Sequence, residues 1–284
     1  MGKVYAVTGA TGYIGSKLLE HLGKNTKNTI YAIVRESSIP KMISDNIKYV
    51  TYDGTEGSLV DPLSKADYLI HLGALYTTAT DEKSTIDLIN SNILLSTQLF
   101  NVANKFNKEL VIASSSTFSS LNEEGKYAPA TLYAATKKAV EDIAYYYKDL
   151  SIHFLTFPDT YGSGDWRPKI HNIVAKNKSW PFEFRSPAEQ EMRILHVKDI
   201  IGHLLQSIQD SQKGVHIHDI YSEAPLLTLK ELSELVTDNE CLFSESAELT
   251  LLPKFARKES TYTGHINEYN IDKLKATFRD TVRK

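Results

Sequence analysis

The run Lys3-Val4-Tyr5-Ala6-Val7-Thr8-Gly9-Ala10-Thr11-Gly12-Tyr13-Ile14-Gly15 limits what this chain can fold into more than any other stretch. Apolar and β-branched residues lead into glycines at 9, 12 and 15, and Ile14, Leu18, Leu19 and Leu22 then recur at helical spacing. Read physically, this is a strand, a tight turn and a helix. Gly9 allows the turn, Gly12 lets a pyrophosphate approach the backbone, and Gly15 lets the helix pack close to the strand. The first helical turn offers N–H groups and the positive end of its dipole to phosphate oxygens. With Thr11, Tyr13 and Ile14 between them, the glycines form a candidate dinucleotide-binding turn. Glycine spacing alone is a weak signal, and the strand-to-helix context is what strengthens it.

The alternation continues. Strand-like runs at 4–8, 29–34, 47–52, 68–72, 110–113 and 152–156 are separated by helical patterns near 12–22, 58–65, 82–107 and 132–149. Such alternation implies right-handed crossovers and a parallel sheet covered on both faces, with a cofactor beyond the carboxyl ends of the strands. The expected class is α/β, a doubly wound parallel sheet. After Asp159 the pattern turns irregular, with Trp166, Pro168, Trp180, Pro181 and Pro187. Segments 193–197 and 215–220 can return as strands, and Thr228 with Glu231 forms a capping box for a helix through Val236. Residues 1–160 are expected to form the dinucleotide-binding domain. Residues 161–284 are expected to be mainly a smaller substrate-binding lobe, interleaved with the main sheet.

Charge and cysteine usage narrow the function classes. A formal charge of −3 over 284 residues exerts no general pull toward nucleic acid or an acidic membrane. The one cysteine, Cys241, excludes an internal disulfide and suits a reducing compartment. No apolar run reaches the length of a membrane span, and the opening stretch reads as strand rather than signal peptide. A cytoplasmic enzyme is expected, with no nucleic-acid or membrane partner.

Its chemistry is suggested by Tyr133-Ala134-Ala135-Thr136-Lys137, with Ser114-Ser115-Ser116 upstream. Residues four apart share a helix face, so Lys137 can lie beside the Tyr133 hydroxyl. A nearby positive charge favours the phenolate and is expected to lower the Tyr133 pKa from its usual value near 10. A tyrosine so tuned acts as an acid or base while a hydride moves at the adjacent carbon. His216 and His218 share one face of an expected strand. Two imidazoles without a third ligand read as packing or surface groups, and no metal is expected.

Together these pieces resemble the extended short-chain dehydrogenase/reductase family, from Lys3 to about Asp199. Thr8-Gly9-Ala10-Thr11-Gly12-Tyr13-Ile14-Gly15 matches that family's glycine motif position by position. Asp53 and Gly54 resemble its adenine-binding pair, and Asp67-Tyr68-Leu69-Ile70-His71-Leu72-Gly73-Ala74 its fourth strand, whose end passes under the cofactor. Asn92-Ile93-Leu94-Leu95-Ser96-Thr97 resembles the long helix, Pro158-Asp159-Thr160-Tyr161-Gly162 the loop after the sixth strand, and His196-Val197-Lys198-Asp199 a later motif. The resemblance implies a Rossmann fold and cofactor contacts from Leu72, Gly73, Ala74, Asn92, Lys137 and Pro158. It also implies a homodimer, with the helix near 82–107 and the Tyr133 helix, which ends at Tyr145-Tyr146-Tyr147, pairing across a two-fold axis.

An acidic residue ending the second strand would bind the ribose hydroxyl of NAD. Here that strand ends Ile33-Val34-Arg35-Glu36, and the Arg35 guanidinium suits the 2′-phosphate of NADP. Glu36 would face the ribose if the turn shifts by one, so NADPH is favoured and NAD stays possible. Dehydratases of the family carry Thr-Asp-Glu where this chain has Ser115-Ser116-Thr117. The missing acids argue against elimination of water. Counting back from Ser119, which with Ser120 replaces the family's Tyr-Gly pair, selects Ser115 as the hydroxyl on the substrate carbonyl. Ser116 or Thr117 takes that place if the turn slips.

Asp159-Thr160-Tyr161-Gly162-Ser163-Gly164-Asp165-Trp166-Arg167-Pro168-Lys169 and Ser186-Pro187-Ala188-Glu189-Gln190 are similar to stretches of nucleotide-sugar 4-ketoreductases of the CDP-abequose synthase type. This resemblance implies NADPH-dependent reduction of a nucleoside-diphosphate 4-keto-6-deoxy or 3,6-dideoxy sugar, with Arg167, Lys169 and Arg193 as cations for its diphosphate. An epimerase with bound NAD and a non-catalytic NADP sensor are the alternatives.

Overall fold

A computed structural model describes residues 2–40, 42–114, 120–122, 124–220, 226–248 and 254–255, with the backbone alone at 110–114, 120–121 and 254–255. In chain order the elements begin β1 (Val4–Thr8), α1 (Tyr13–Gly23), β2 (Thr29–Arg35), β3 (Ile47–Tyr52), α2 (Gly57–Lys65) and β4 (Tyr68–His71). One long helical stretch follows as α3 (Glu82–Leu88), a π-helical segment (Ile89–Leu94) and α4 (Leu95–Phe106). Next come β5 (Glu109–Ser114), β6 (Ser120–Leu121), α5 (Leu132–Ala144), β7 (Ser151–Thr156), β8 (Asp159–Tyr161), α6 (Ile170–Ala175) and β9 (Phe182–Glu183). The last are β10 (Glu191–His196), α7 (Val197–Ser207), β11 (Gly214–Asp219), β12 (Leu226–Thr228), α8 (Leu229–Val236), β13 (Cys241–Leu242) and β14 (Lys254–Phe255).

The chain divides into two compact units, Met1–Thr156 with Ile201–Asp219 and Lys254–Thr263, and Phe157–Ile200 with Ile220–Pro253 and Gly264–Lys284. In the first, seven parallel strands lie in the order β11-β7-β5-β4-β1-β2-β3. The order reverses on either side of β1, where crossovers pass to opposite faces and a doubly wound sheet binds its ligand. Its central strands are largely apolar, because both faces are covered: Ala6, Ile33, Leu69, Ile152 and Phe154 pack with Leu59, Leu99, Phe100 and Val140 from the helices. The six strands expected from the alternation all form, with ends moved by a residue at most.

Two helices depart from the sequence reading. The helix expected over 82–107 contains the π segment, and the one expected over 132–149 ends at Ala144. Three consecutive tyrosines are weak helix formers, and here Tyr147 leaves the helix to bury its ring and donate to Asn101 Oδ1 at 2.7 Å. Tyr146 is 83% exposed.

The second unit packs β8, β10 and β12 into a three-stranded sheet against α6 and α8 around Tyr161, Ile194, Leu227, Leu232 and Leu235. α8 starts with the expected capping box: Thr228 Oγ1 accepts from the Glu231 N–H, and the Thr228 N–H donates to the Glu231 carboxylate. No helix among the described residues is long and apolar enough to cross a membrane.

Candidate active site

The glycine turn is built at contact distance. β1 ends at Thr8 and the chain turns at Gly9 with φ +66°. A Cβ there would meet the Gly73 nitrogen and the Leu72 carbonyl carbon, each at 2.7 Å. At Gly15 a Cβ would lie 2.2 Å from the Gly9 oxygen, so α1 could not pack this close to the turn with any side chain in that place. Gly12 caps α1; no side chain bonds that end, and no acidic residue stands in its first turn. A positive helix terminus without a competing carboxylate fits the phosphates of a dinucleotide. Thr11 and Ile14 are half-buried and Tyr13 is buried.

At the same, carboxyl end of the parallel strands, β2 and β3 are paired so that Arg35 lies opposite Tyr52. Asp53 and Gly54 follow directly, which puts Arg35 and Asp53 at neighbouring strand ends. Arg35, Glu36, Asp53 and Gly54 are all exposed. Asp53 Oδ1 accepts from the Thr55 hydroxyl at 2.7 Å and the Thr55 N–H at 2.8 Å, and these bonds hold its carboxyl below the usual range.

A buried relay joins the glycine turn to the π segment. The Gly73 N–H donates to Thr8 Oγ1 at 3.1 Å, Thr8 Oγ1 lies 2.6 Å from His71 Nδ1, and His71 Nε2 lies 2.9 Å from Ser96 Oγ. Ser96 donates to the Asn92 carbonyl. One arrangement of protons satisfies the whole chain: Ser96 accepts from His71 Nε2–H, and Thr8 donates to Nδ1. Burial, then the charge of Lys137, pushes the His71 pKa down to about 3 and keeps the ring neutral.

Asn92 is itself buried. Its Oδ1 accepts from the Leu75 N–H at 2.8 Å, and its Nδ2 donates to the Leu75 carbonyl and to Thr136 Oγ1, both at 3.0 Å. One amide thus holds the loop after β4, which carries Leu72, Gly73 and Ala74, and ties it to α5. Pro158 is buried two residues beyond β7.

Thr131 caps α5, accepting from the Ala134 N–H at 3.1 Å. Tyr133 is half-buried and Lys137 buried. Here the electrostatic expectation is corrected. Burial, with a further contribution from Tyr76, pushes the Tyr133 phenol up to about 12, and burial lowers Lys137 to about 8. Desolvation opposes charge on both groups and outweighs the pull of an ammonium one helical turn away. At neutral pH Tyr133 rests protonated. Ser115, Ser116 and Thr117 lie outside the described residues.

The second unit holds the late cations. Arg167 forks onto the buried Asp165 carboxylate, with Nε to Oδ1 and Nη2 to Oδ2 both at 2.8 Å, and Nη2 also reaches the Thr160 carbonyl at 2.7 Å. His171 Nε2 stands 3.6 Å from the same carboxylate. Arg167 and His171 together outweigh the burial of Asp165 and hold its carboxyl well below the usual range. Lys169 is paired with Asp159 at 2.5 Å. Arg193 is half-buried on β10, opposite Leu226.

The model of the NAD dependent epimerase/dehydratase family matches residues 5–221. The chain belongs to that family. It is 28% identical over 226 residues to CDP-abequose synthase of Salmonella typhimurium, covering 76% of this chain and 73% of that protein. It is 27% identical to UDP-glucuronate 4-epimerase 1 of Arabidopsis thaliana, covering 73% of this chain and 55% of the relative. A solved structure of UDP-N-acetylglucosamine 4-epimerase from Methanobrevibacter ruminantium, in complex with UDP-N-acetylmuramic acid, superposes with a TM-score of 0.78 at 20% identity, over 99% of this chain and 97% of that one. MoeE5 in complex with UDP-glucuronic acid and NAD gives 0.76 at 22% identity, over 99% and 98%. These structural likenesses bear on the fold.

In this epimerase/dehydratase chain, several residues of the site escaped the sequence reading. His71 lay inside a quoted motif without a role, and Thr136 stood unremarked between Tyr133 and Lys137. Tyr76 had no signal at all; its ring centroid is 5.0 Å from that of Tyr133. The structure brings His216 and His218 to His153: the His216 ring stacks on it at a centroid distance of 4.9 Å, and His218 Nε2 lies 2.8 Å from His153 Nδ1.

Proposed function

We propose that this protein is an NADPH-dependent reductase of the 4-keto group of a nucleoside-diphosphate deoxy sugar, a CDP-4-keto-3,6-dideoxyhexose or a close analogue. The observation that carries the reading is Arg35, exposed at the carboxyl end of β2 beside Asp53, where an acid would select NAD. A 2′-phosphate partner suits a cofactor that arrives reduced and leaves oxidised in each turnover. The similarity to CDP-abequose synthase supports the substrate class.

NADPH bound at the glycine turn would supply a hydride to the sugar C4. In this reading Gly9, Thr11, Gly12, Tyr13, Ile14 and Gly15 hold its pyrophosphate, Arg35 its 2′-phosphate, and Asp53 with Gly54 its adenine. Leu72, Gly73, Ala74, Asn92 and Pro158 shape the nicotinamide end. Tyr133 gives its proton to the C4 oxygen as the carbonyl becomes an alcohol, and the resting protonated phenol supports this direction of transfer. Lys137 stabilises the phenolate left behind and orients the cofactor ribose. Ser115, or its neighbours Ser116 and Thr117, bonds the carbonyl oxygen. Arg193 meets the substrate diphosphate, whereas Arg167 braces its loop through Asp165. A cytoplasmic homodimer completes the proposal. Its interface would use Ile86 on α3, Ile89 and Leu94 on the π segment and Tyr145 just beyond α5, all of them exposed.

The test is NADPH oxidation against a panel of nucleotide 4-keto sugars, with the purified protein first assayed for bound NAD. Rapid oxidation with the CDP sugars is expected. Tightly bound NAD and interconversion of UDP sugars would move the protein to the epimerases, and NADPH binding without turnover on any sugar to a sensor.

A further inference from the structure

The loop after β4 carries Tyr76, which is 67% exposed yet meets Tyr133 with ring centroids 5.0 Å apart and ring planes at 87°. An exposed aromatic side chain ordinarily samples several rotamers. This one grows from a backbone with little freedom. Both polar groups of the preceding residue, Leu75, are held by Asn92 at 2.8 and 3.0 Å, and the same amide reaches Thr136 at 3.0 Å. Thr136 in turn donates to the Tyr133 carbonyl at 2.7 Å. One buried side chain therefore fixes the loop that bears Tyr76 relative to the helix that bears Tyr133. Edge-to-face ring contacts are directional, and a phenol's χ2 torsion is otherwise broad.

We propose that Tyr76 is a positioning residue for Tyr133: its ring, set by the Asn92 clamp, holds the plane of the Tyr133 phenol and so aims its hydroxyl at the oxygen to be protonated. The proposal rests on the reading of Tyr133 as the acid. The requirement is for a ring rather than for a second hydroxyl.

Tyr76→Ala, Tyr76→Phe and Tyr76→Leu in the full chain test it, assayed by NADPH oxidation with a CDP-4-keto-3,6-dideoxyhexose. A ring pair is worth about two- to twelvefold. The Ala variant is expected to lose kcat by about that factor with KM nearly unchanged. Phe restores most of the loss and Leu does not, although Ala and Leu, which both lack the ring pair, lower the unfolding midpoint alike and only slightly. Wild-type kcat in the Ala variant, or rescue by Leu as complete as by Phe, overturns the proposal. Tyr133→Phe in the same assay separates the two claims: if it stays active, the acid assignment falls; if it is dead while Tyr76→Ala is normal, only the role of Tyr76 falls. Should the wild type not turn over this sugar, the functional reading fails and near-ultraviolet circular dichroism decides for Tyr76. The spectrum of the wild type minus that of Tyr133→Phe reports the Tyr133 ring. The same difference taken with Tyr76→Ala in both chains should shrink, because the ring is no longer held, and an unchanged difference overturns the proposal.

Discussion

Removing the Asn92 amide is the sharpest test of how this site is held. Asn92→Ala deletes three hydrogen bonds, to the Leu75 N–H at 2.8 Å, the Leu75 carbonyl at 3.0 Å and Thr136 Oγ1 at 3.0 Å. Thr136 keeps its own donated bond to the Tyr133 carbonyl, and half-buried Leu75 can turn partly to water. Each loss should therefore sit near the net worth of about 1 kcal/mol rather than at the full cost of an orphaned buried group, giving about 3 kcal/mol in all. Asn92→Asp keeps one acceptor but buries a carboxylate, whose pKa is then raised in the folded state. A raised acid destabilises as pH climbs above its unfolded value near 4, so the Asp variant should lose further stability toward neutral pH while the Ala variant does not. Urea unfolding followed by far-UV circular dichroism, at mildly acidic and neutral pH, measures both. An Ala variant within about 0.5 kcal/mol of wild type, below even a single net hydrogen bond, would refute the clamp.

Acid should weaken the sheet at β7 and β11. His153 accepts at Nδ1 from His218 Nε2 at 2.8 Å and donates from Nε2 to the Asp210 carbonyl at 2.8 Å, an arrangement that needs His153 neutral. Burial pushes His218 down to about 4 and His153 also downward. Their contribution is intact above the unfolded histidine value near 6.5 and is lost as pH falls toward the folded value, by about 1–3 kcal/mol; His218→Asn should blunt that slope in urea titrations. Arg35→Ala should weaken NADPH binding about ten- to a hundredfold and leave NADH nearly unchanged, as isothermal calorimetry would show. Arg167→Ala strands the buried Asp165 carboxylate and should lower stability by about 3 kcal/mol. Arg193→Ala should instead raise KM for the nucleotide sugar while sparing the NADPH dissociation constant.

What could be read before folding was whatever local pattern dictates. β-branched runs such as Thr29–Arg35 and the spacing of Gly9, Gly12 and Gly15 carry their own geometry, so strands, turn and family followed from them. The Thr228 and Glu231 capping box was legible for the same reason. What stayed hidden depends on burial and on distant partners. The charge of Lys137 is visible in a sequence but the desolvation that opposes it is not, and so the direction of the Tyr133 shift was misjudged. Asp165 and Arg167 are two residues apart, yet the side-chain rotamers that fold one onto the other carry no periodic signature. His153 and His218 meet only because β7 and β11 pair in register. The π segment is silent too, since its residues fit an ordinary helix equally well.

That segment makes chain length itself informative. A π turn accommodates an extra residue within a helix that continues on both sides. Deleting one residue between Leu88 and Asn92 would let the helix close into regular α turns. Everything upstream, α3 included, would then rotate by about 100° relative to α4 while Asn92 kept its place. Among homologous chains, a one-residue gap here would thus mark a change in which side chains of α3 face outward. A surplus residue in a helix acts as a hinge in evolutionary time, able to re-aim a surface without disturbing the amide behind it.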